Sequence, residues 1–144
     1  MVADLLQQFR EKLQIPRQKW AIYIVLYLLM GILMNNVGIW TEIARFTYLW
    51  QIITCYVLYM IPLSLVLRDR HWTEQYAFGV VGMGCLEFLG YALGTSIAYD
   101  NNILDMLFTE RNFSLGMTLF FGFYIPFGNW AVDKIESIYE KSKT

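Results

Sequence analysis

Four long stretches of mostly apolar residues dominate this sequence, with only short polar segments between them. They cover about 20–39, 48–66, 76–98 and 113–132. A helix of roughly 20 apolar residues crosses the hydrocarbon core of a bilayer, which is about 30 Å thick. The hydrophobic content of 57% and the mean hydropathy of +0.40 fit this demand, since a soluble domain of this size needs less apolar surface. We therefore predict an all-α integral membrane protein, a four-transmembrane-helix bundle in which residues 1–144 form a single membrane domain.

The segment before the first predicted span has a helical pattern of its own. Apolar residues recur three and four positions apart, namely Val2, Leu5, Leu6, Phe9 and Leu13. The charged residues of 10–12 are turned away from that stripe, and Pro16 ends the pattern. We predict an N-terminal amphipathic helix over residues 2–15 that lies in the membrane interface.

The basic residues predict an orientation. Nine of them lie on one side of this layout: Arg10, Lys12, Arg17, Lys19, Arg68, Arg70, Lys134, Lys141 and Lys143. Only Arg45 and Arg111 lie on the other side. Short loops rich in Lys and Arg stay in the cytoplasm. We expect a protein of the bacterial inner (plasma) membrane with both termini cytoplasmic and with residues 133–144 as a cytoplasmic tail.

Glu87 is the residue that most needs an explanation, because it falls near the middle of the third predicted span. An ionised carboxylate in hydrocarbon costs several kcal/mol unless it is paired, hydrogen-bonded or protonated. Tyr56 and Tyr59 of span two lie near the same depth and are its expected hydrogen-bond partners. Asn129 of span four is expected about 10 Å nearer the cytoplasm. We predict a ligand-binding site formed by Glu87, Tyr56, Tyr59, Asn129 and Thr118, with Glu87 as the candidate catalytic proton donor.

Small residues and one proline predict how the helices pack. Gly90 and Gly94 share a face with Glu87 and have the spacing that lets two membrane helices approach closely. Gly122 and Pro126 lie on one stripe of span four. Pro126 has no N–H to give to the carbonyl of Gly122, so a kink is expected there. We predict that a protein partner or a second copy of the chain docks through span three.

A second polar group is expected near the outer surface. Its members are Asn35 and Asn36 at the end of span one and Thr95 and Ser96 in span three. We predict interhelical hydrogen bonds among them. The loop beyond them has a net charge of −2 from Asp100, Asp105, Glu110 and Arg111. We expect a solvated acidic loop here, with hard-cation binding as the less favoured alternative.

Several kinds of chemistry have no support in the sequence. The only histidine is His71, and the two cysteines, Cys55 and Cys85, form no CxxC pair, so we predict no metal site. No P-loop, HExxH, GxSxG or GxGxxG motif occurs. With a net charge of −1 and no basic run, the chain is not expected to bind nucleic acid.

Three functions remain open at this point. The favoured one is a non-catalytic subunit or assembly factor of a larger membrane complex. The second is a small membrane enzyme or binding protein that holds a lipid, isoprenoid or pigment at Glu87, although no cofactor is predicted outright. The third is a proton-coupled carrier or channel formed by a homodimer. An enzyme is less expected than a protein without catalytic activity.

Overall fold

The computed structural model of the protein describes residues 1–109 and 112–144, and of Ser96 the backbone alone. Four helices are long and apolar enough to cross a membrane: Arg17–Trp40, Trp50–Leu67, Trp72–Leu93 and Phe113–Ser142. We call them the first to fourth long helices. The prediction of a mostly helical chain with four helices of this kind is confirmed. Glu110 and Arg111 of the predicted acidic loop lie outside the described residues.

The helices and strands follow in a simple order. They are α1 (Val2–Leu13), α2 (Arg17–Trp40), β1 (Ala44–Phe46), α3 (Trp50–Ile52), a π-helix (Ile53–Met60), α4 (Ile61–Leu67), α5 (Trp72–Leu93), β2 (Ser96–Ala98), α6 (Ile103–Phe108), α7 (Phe113–Phe121) and α8 (Tyr124–Ser142). The second long helix thus consists of α3, the π-helix and α4, and the fourth consists of α7 and α8. We call the end of the bundle with α1 and the end of α8 the terminal end, and the opposite end, with the strands, the ribbon end.

The N-terminal helix stops at Leu13, two residues earlier than expected, because Pro16 disfavours a helical conformation at the residue before it. The helix α1 packs against α4, and the ammonium group of Lys12 donates a hydrogen bond to the carboxylate of Asp69. The apolar side chains of Leu5, Leu6 and Phe9 are exposed. A location in a membrane interface therefore stays a prediction.

The contact between Lys12 and Asp69 predicts a pH effect on α1. The hydrogen bond from Lys12 lowers the pKa of Asp69. A carboxyl group with a lowered pKa stabilises the docked helix above the ordinary aspartate pKa of about 4, and this contribution is lost as the pH falls through the lowered value. Because both side chains are partly exposed, Asp69→Asn should raise hydrogen exchange in α1 only about twofold at pH 7. Wild type and variant should converge as the pH falls through the lowered pKa of Asp69. A difference that persisted below it would exclude the ion pair as its cause.

The π-helix in the second long helix was not predicted. It ends two residues before Pro62, which has no N–H to donate to the carbonyl of Leu58. The wider π turn changes the hydrogen-bond spacing where that donor is missing. The side chains of Ile53–Met60 are consequently rotated relative to a regular helix.

The predicted end of span three at residue 98 is wrong. The helix α5 ends at Leu93, and Gly94 follows with a φ of +62°, a left-handed conformation that favours glycine. The amide of Thr95 donates to the carbonyl of Gly90 at 3.0 Å and closes the helix end. At 1.5 Å rise per residue, Glu87 lies about 7 Å from the helix centre toward the ribbon end, and about 9 Å from Leu93.

The prediction that the chain is entirely helical is corrected by a small antiparallel ribbon. The strand β1 pairs with β2, with Ala44 opposite Ala98 and Phe46 opposite Ser96. The backbone at this end would otherwise lack partners for its N–H and C=O groups. The ribbon joins the connection after the first long helix to the connection after the third.

The fourth long helix is interrupted and then extends beyond its predicted end. The break lies at Gly122 and Phe123, between α7 and α8, in the turn before Pro126. A kink at this place stays a prediction. Beyond the break, α8 continues to Ser142. Residues 133–142 of the predicted cytoplasmic tail are thus helical.

The four long helices pack as two pairs that meet mainly at the terminal end. The third long helix packs along α7 and α8 and against α4, while the first packs against the π-helix and α8. The core between them contains Tyr23, Tyr27, Tyr56, Met60, Leu65, Met83, Tyr124 and Val132. Four tyrosines in one core mean that hydroxyl groups must find partners inside the bundle.

Candidate functional site

A buried polar cluster connects all four long helices in the half of the bundle nearer the terminal end, with Asn129 at its centre. The Asn129 Oδ1 accepts a hydrogen bond from the Tyr23 hydroxyl at 2.7 Å. Its Nδ2 donates to the Ser64 carbonyl at 3.0 Å and to Gln75 Oε1 at 2.8 Å. All four residues are buried. One amide therefore links α2, α4, α5 and α8.

Tyr27 adds a second branch to this cluster. Its hydroxyl donates to the Tyr124 carbonyl at 3.2 Å and is hydrogen-bonded to the Ser64 hydroxyl. Because a tyrosine has one hydroxyl hydrogen, Ser64 is the donor in that pair when Tyr27 donates to Tyr124. The Tyr27 ring reaches this place only because residue 128 is glycine.

Gln75 extends the cluster to the loop between the second and third long helices. Its Nε2 donates to the carbonyls of Arg70 at 2.8 Å and Arg68 at 3.3 Å. The side-chain polar groups of the cluster are thus hydrogen-bonded to each other or to the backbone. A fully partnered cluster of this kind holds helices in register.

Charged residues surround an open cleft of about 490 Å³ at the terminal end. It is lined by Gln14, Ile15, Pro16, Lys19, Arg68, Asp69, Asp133 and Glu136. The ammonium group of Lys19 lies 2.8 Å from Glu136 and 3.1 Å from Asp133. The two basic side chains lie among three acidic ones, so the cleft favours neither an anion nor a cation.

Glu87 is half-buried and lies outside this cluster. Within residues 1–109 and 112–144 its carboxylate has no hydrogen bond or ion pair. Glu87 is thus a charged side chain, about 7 Å from the centre of α5, that the described part of the chain leaves without a partner.

The expected hydrogen bonds from Tyr56 and Tyr59 to Glu87 are not formed. The Tyr59 hydroxyl donates to the Gly82 carbonyl at 2.5 Å. The Tyr56 ring is buried, with its centroid 6.4 Å from that of Phe46 and 5.8 Å from that of Tyr124. The register of the π-helix, which sequence reasoning did not foresee, sets these directions.

The other two predicted ligand-binding residues also point elsewhere. The Thr118 hydroxyl donates to the Ser114 carbonyl at 2.7 Å within its own helix, and Asn129 belongs to the buried cluster. The five predicted residues therefore do not converge on one pocket around Glu87. A binding role for any one of them stays a prediction.

The predicted outer polar group is arranged around the ribbon instead of between two helices. Asn35 Oδ1 accepts from the Phe46 amide at 3.0 Å, and the Thr95 carbonyl accepts from the Thr47 amide at 3.5 Å. The Thr95 hydroxyl donates to the Gly90 carbonyl. Asn36 is exposed and has no hydrogen-bond partner among the described residues. The side chain of Ser96, the fourth predicted member, lies outside the described part.

The predicted packing residues fall into two groups. Gly122 and Pro126 are buried, and a Cβ atom at Gly122 would lie 2.6 Å from Val80, so this position does permit close packing with α5. Gly94 caps α5 and faces open space, and a Cβ at Gly90 would meet only the Thr95 hydroxyl. Among the residues that the structure describes, no other long helix packs against Gly90 and Gly94.

Sequence reasoning missed four members of the buried cluster: Tyr23, Tyr27, Ser64 and Gln75. The spacing of Tyr23, Tyr27 and Gly31, four residues apart, places them on one helix face, and all three are buried. A helix face with two tyrosines and a glycine could have predicted buried hydroxyl groups and close helix packing from the sequence. Gln75 lies just before the predicted start of span three at residue 76, whereas α5 begins at Trp72.

No group of three or more His, Cys, Asp or Glu residues that could hold a metal ion occurs in the described ranges. The arrangement can therefore hold helices together through the buried cluster, and it leaves the half-buried carboxylate of Glu87 without a partner among the described residues. In comparisons with known proteins, no family model, no curated relative and no solved structure matches this chain.

Proposed function

We propose that this protein is a non-catalytic subunit or assembly factor of a larger membrane complex, and that the third long helix is the surface on which its partner docks. The single observation behind this role is Glu87, whose carboxylate has no partner within the described residues. A buried acid without a partner is costly in hydrocarbon. A donor on a neighbouring helix of another chain would remove that cost.

The surroundings of Glu87 suit a neighbouring helix. Gly90 lies about one turn away on the same side of α5, and no other long helix within the described ranges packs against it. Tyr91, the residue after Gly90 and also about one turn from Glu87, is exposed. A glycine beside polar groups lets a second backbone approach closely enough to hydrogen-bond them. The position of Glu87, about 9 Å inside the helix end, is also shallower than the centre of a bilayer.

The polar residues buried in the bundle do not favour catalysis. Asn129 and Gln75, with the tyrosines around them, are used in joining the four long helices. Neither of the two open clefts near the terminal end is lined by Glu87. The four long helices are joined by hydrogen bonds toward the terminal end, while Glu87 lies without a partner toward the ribbon end. This arrangement supports a docking role.

We infer an inner-membrane location with both termini in the cytoplasm, supported by the concentration of basic residues at the terminal end. Lys12 and Lys19 lie there with the loop that contains Arg68 and Arg70. Basic residues in short segments favour the cytoplasmic side. Thiol labelling of intact cells, with a cysteine introduced at Thr144, would test this orientation.

Gly90→Leu should release the partner. A leucine there fills the space that a neighbouring backbone needs, so the co-purifying chains should fall at least about tenfold relative to wild type. Glu87→Gln keeps a hydrogen-bonding group but loses the charge, and should weaken the association by roughly threefold to tenfold. The measurement is native mass spectrometry of the protein extracted gently from its own membranes.

Ala92→Leu is the matched control. Ala92 is exposed on the opposite side of α5, about 3 Å farther along the helix axis than Gly90. The added side chain should therefore meet only lipid and leave the complex intact. Equal losses for Ala92→Leu and Gly90→Leu would contradict a specific docking face. Wild type without any co-purifying chain would exclude the subunit role, and two copies of this chain alone would favour the homodimeric carrier.

A second candidate function is the binding of a lipid, isoprenoid or pigment at Glu87. It is favoured by the packing, because the third long helix packs mainly on α4 and the fourth long helix and not along the π-helix. An acyl or isoprenoid chain could reach Glu87 between these elements. In the same mass spectra, a monomer that keeps a lipid-sized ligand in wild type and loses it in Glu87→Gln would establish this function instead.

A further inference from the structure

The connection between the third and fourth long helices contains a short helix, α6, with an exposed apolar face. Asn102 begins it by accepting hydrogen bonds from the amides of Leu104 at 2.9 Å and Asp105 at 3.1 Å. The exposed fractions are 58% for Ile103, 80% for Met106 and 70% for Leu107. These three residues are three and four positions apart and therefore lie on one face.

The opposite face of α6 is attached to the rest of the protein. The Asn102 side chain at its start donates hydrogen bonds to Asp105 at 2.8 Å and to the Tyr99 carbonyl of the preceding segment at 2.7 Å. Phe108 packs on α7, where a Cβ atom at Gly116 would lie 3.0 Å from its ring. The apolar face is thus held outward by contacts on the other side of the helix.

The contact with Gly116 fixes the depth of α6 along the bundle. Gly116 is three residues inside α7 from Phe113, which corresponds to about 4.5 Å. The end of α6 therefore lies at the level of the first turn of the fourth long helix. If that helix crosses a membrane, this level is the boundary between headgroups and acyl chains.

We propose that α6 lies at the non-cytoplasmic surface of the membrane that the long helices cross, with Ile103, Met106 and Leu107 immersed among lipid chains. The occupant of this face is lipid, because the face lies at the level of this boundary and α6 packs on α7, whose Leu115 and Leu119 are exposed at the same end. Residues 94–109 contain no Lys, Arg or His, and the only charges are acidic. Insertion is therefore driven by apolar area, and it does not require anionic lipids.

The test uses nitroxide spin labels on the full-length protein in phosphatidylcholine vesicles. Cys55 and Cys85 are replaced by alanine, and a single cysteine is placed at Met106 or, as a control, at exposed Asp100. A label on Met106→Cys should be relaxed more by oxygen than by a water-soluble nickel chelate. The ratio of relaxation by oxygen to relaxation by the chelate should be at least about threefold higher than for Asp100→Cys. Leu107→Cys should behave like Met106→Cys.

Two outcomes would overturn this placement of α6. Equal exposure of the labels at 106 and 100 to the nickel reagent would put the face in water. A label at 106 that is shielded from both reagents would mean that protein covers it, either a second copy or another chain. Neither outcome depends on docking at Glu87, because the vesicles contain this chain alone.

Discussion

Asn129→Leu should lower the free energy of unfolding by about 2–4 kcal/mol. The substitution removes hydrogen bonds to the Tyr23 hydroxyl, the Ser64 carbonyl and the Gln75 side chain, and leaves these groups buried. A single interhelical hydrogen bond in a membrane protein contributes little, on average about 0.6 kcal/mol. The expected effect is larger here because three partners lose the same residue and water cannot replace it.

Asn36→Leu is the matched control for this change. Asn36 is also an asparagine in a long helix, but it is exposed and has no hydrogen-bond partner among the described residues. Its replacement should leave stability within about 0.5 kcal/mol of wild type or raise it. Unfolding in mixed detergent micelles, followed by circular dichroism, would measure both variants. Similar losses for the two would show that the buried cluster is not what connects the helices.

The number and approximate position of the long helices could be predicted because hydropathy reports directly on length and apolar character. The helix ends could not, because they depend on local geometry. The stretch from Thr95 to Ala98 continues the apolar pattern of α5, yet it leaves the helix at Gly94 and pairs with β1. A hydropathy window does not distinguish an apolar strand from another turn of helix.

Glu87 could be identified from the sequence because a charge inside an apolar span needs an explanation whichever way the helix is rotated. Its surroundings could not be predicted, since they depend on how each helix is rotated against its neighbours. The π-helix shifts Tyr56 and Tyr59 relative to a regular helix, and Tyr59 bonds to Gly82 instead. For the same reason Asn129 was foreseen as polar and buried, while its partners Tyr23 and Gln75 were not.

Gly128→Ala should cost about 3 kcal/mol of stability although it adds a single methyl group. A Cβ atom at this position would lie 2.6 Å from Cζ of the Tyr27 ring, well inside van der Waals contact. Tyr27 is fully buried and cannot turn away without giving up its hydrogen bonds to Ser64 and Tyr124. The steric cost therefore exceeds the gain of roughly 0.5–1 kcal/mol that alanine brings inside a helix.

Gly84→Ala separates the steric effect from helix propensity. A Cβ at Gly84 would lie 3.4 Å from the Thr118 methyl group, an ordinary contact, so this variant should be as stable as wild type or up to about 1 kcal/mol more stable. Combining Gly128→Ala with Tyr27→Ala should cost less than the sum of the two single changes, because the ring that collides has been removed. If the losses were additive, or if Gly128→Ala matched Gly84→Ala, the close approach of Tyr27 to α8 would not be what holds the first and fourth long helices together.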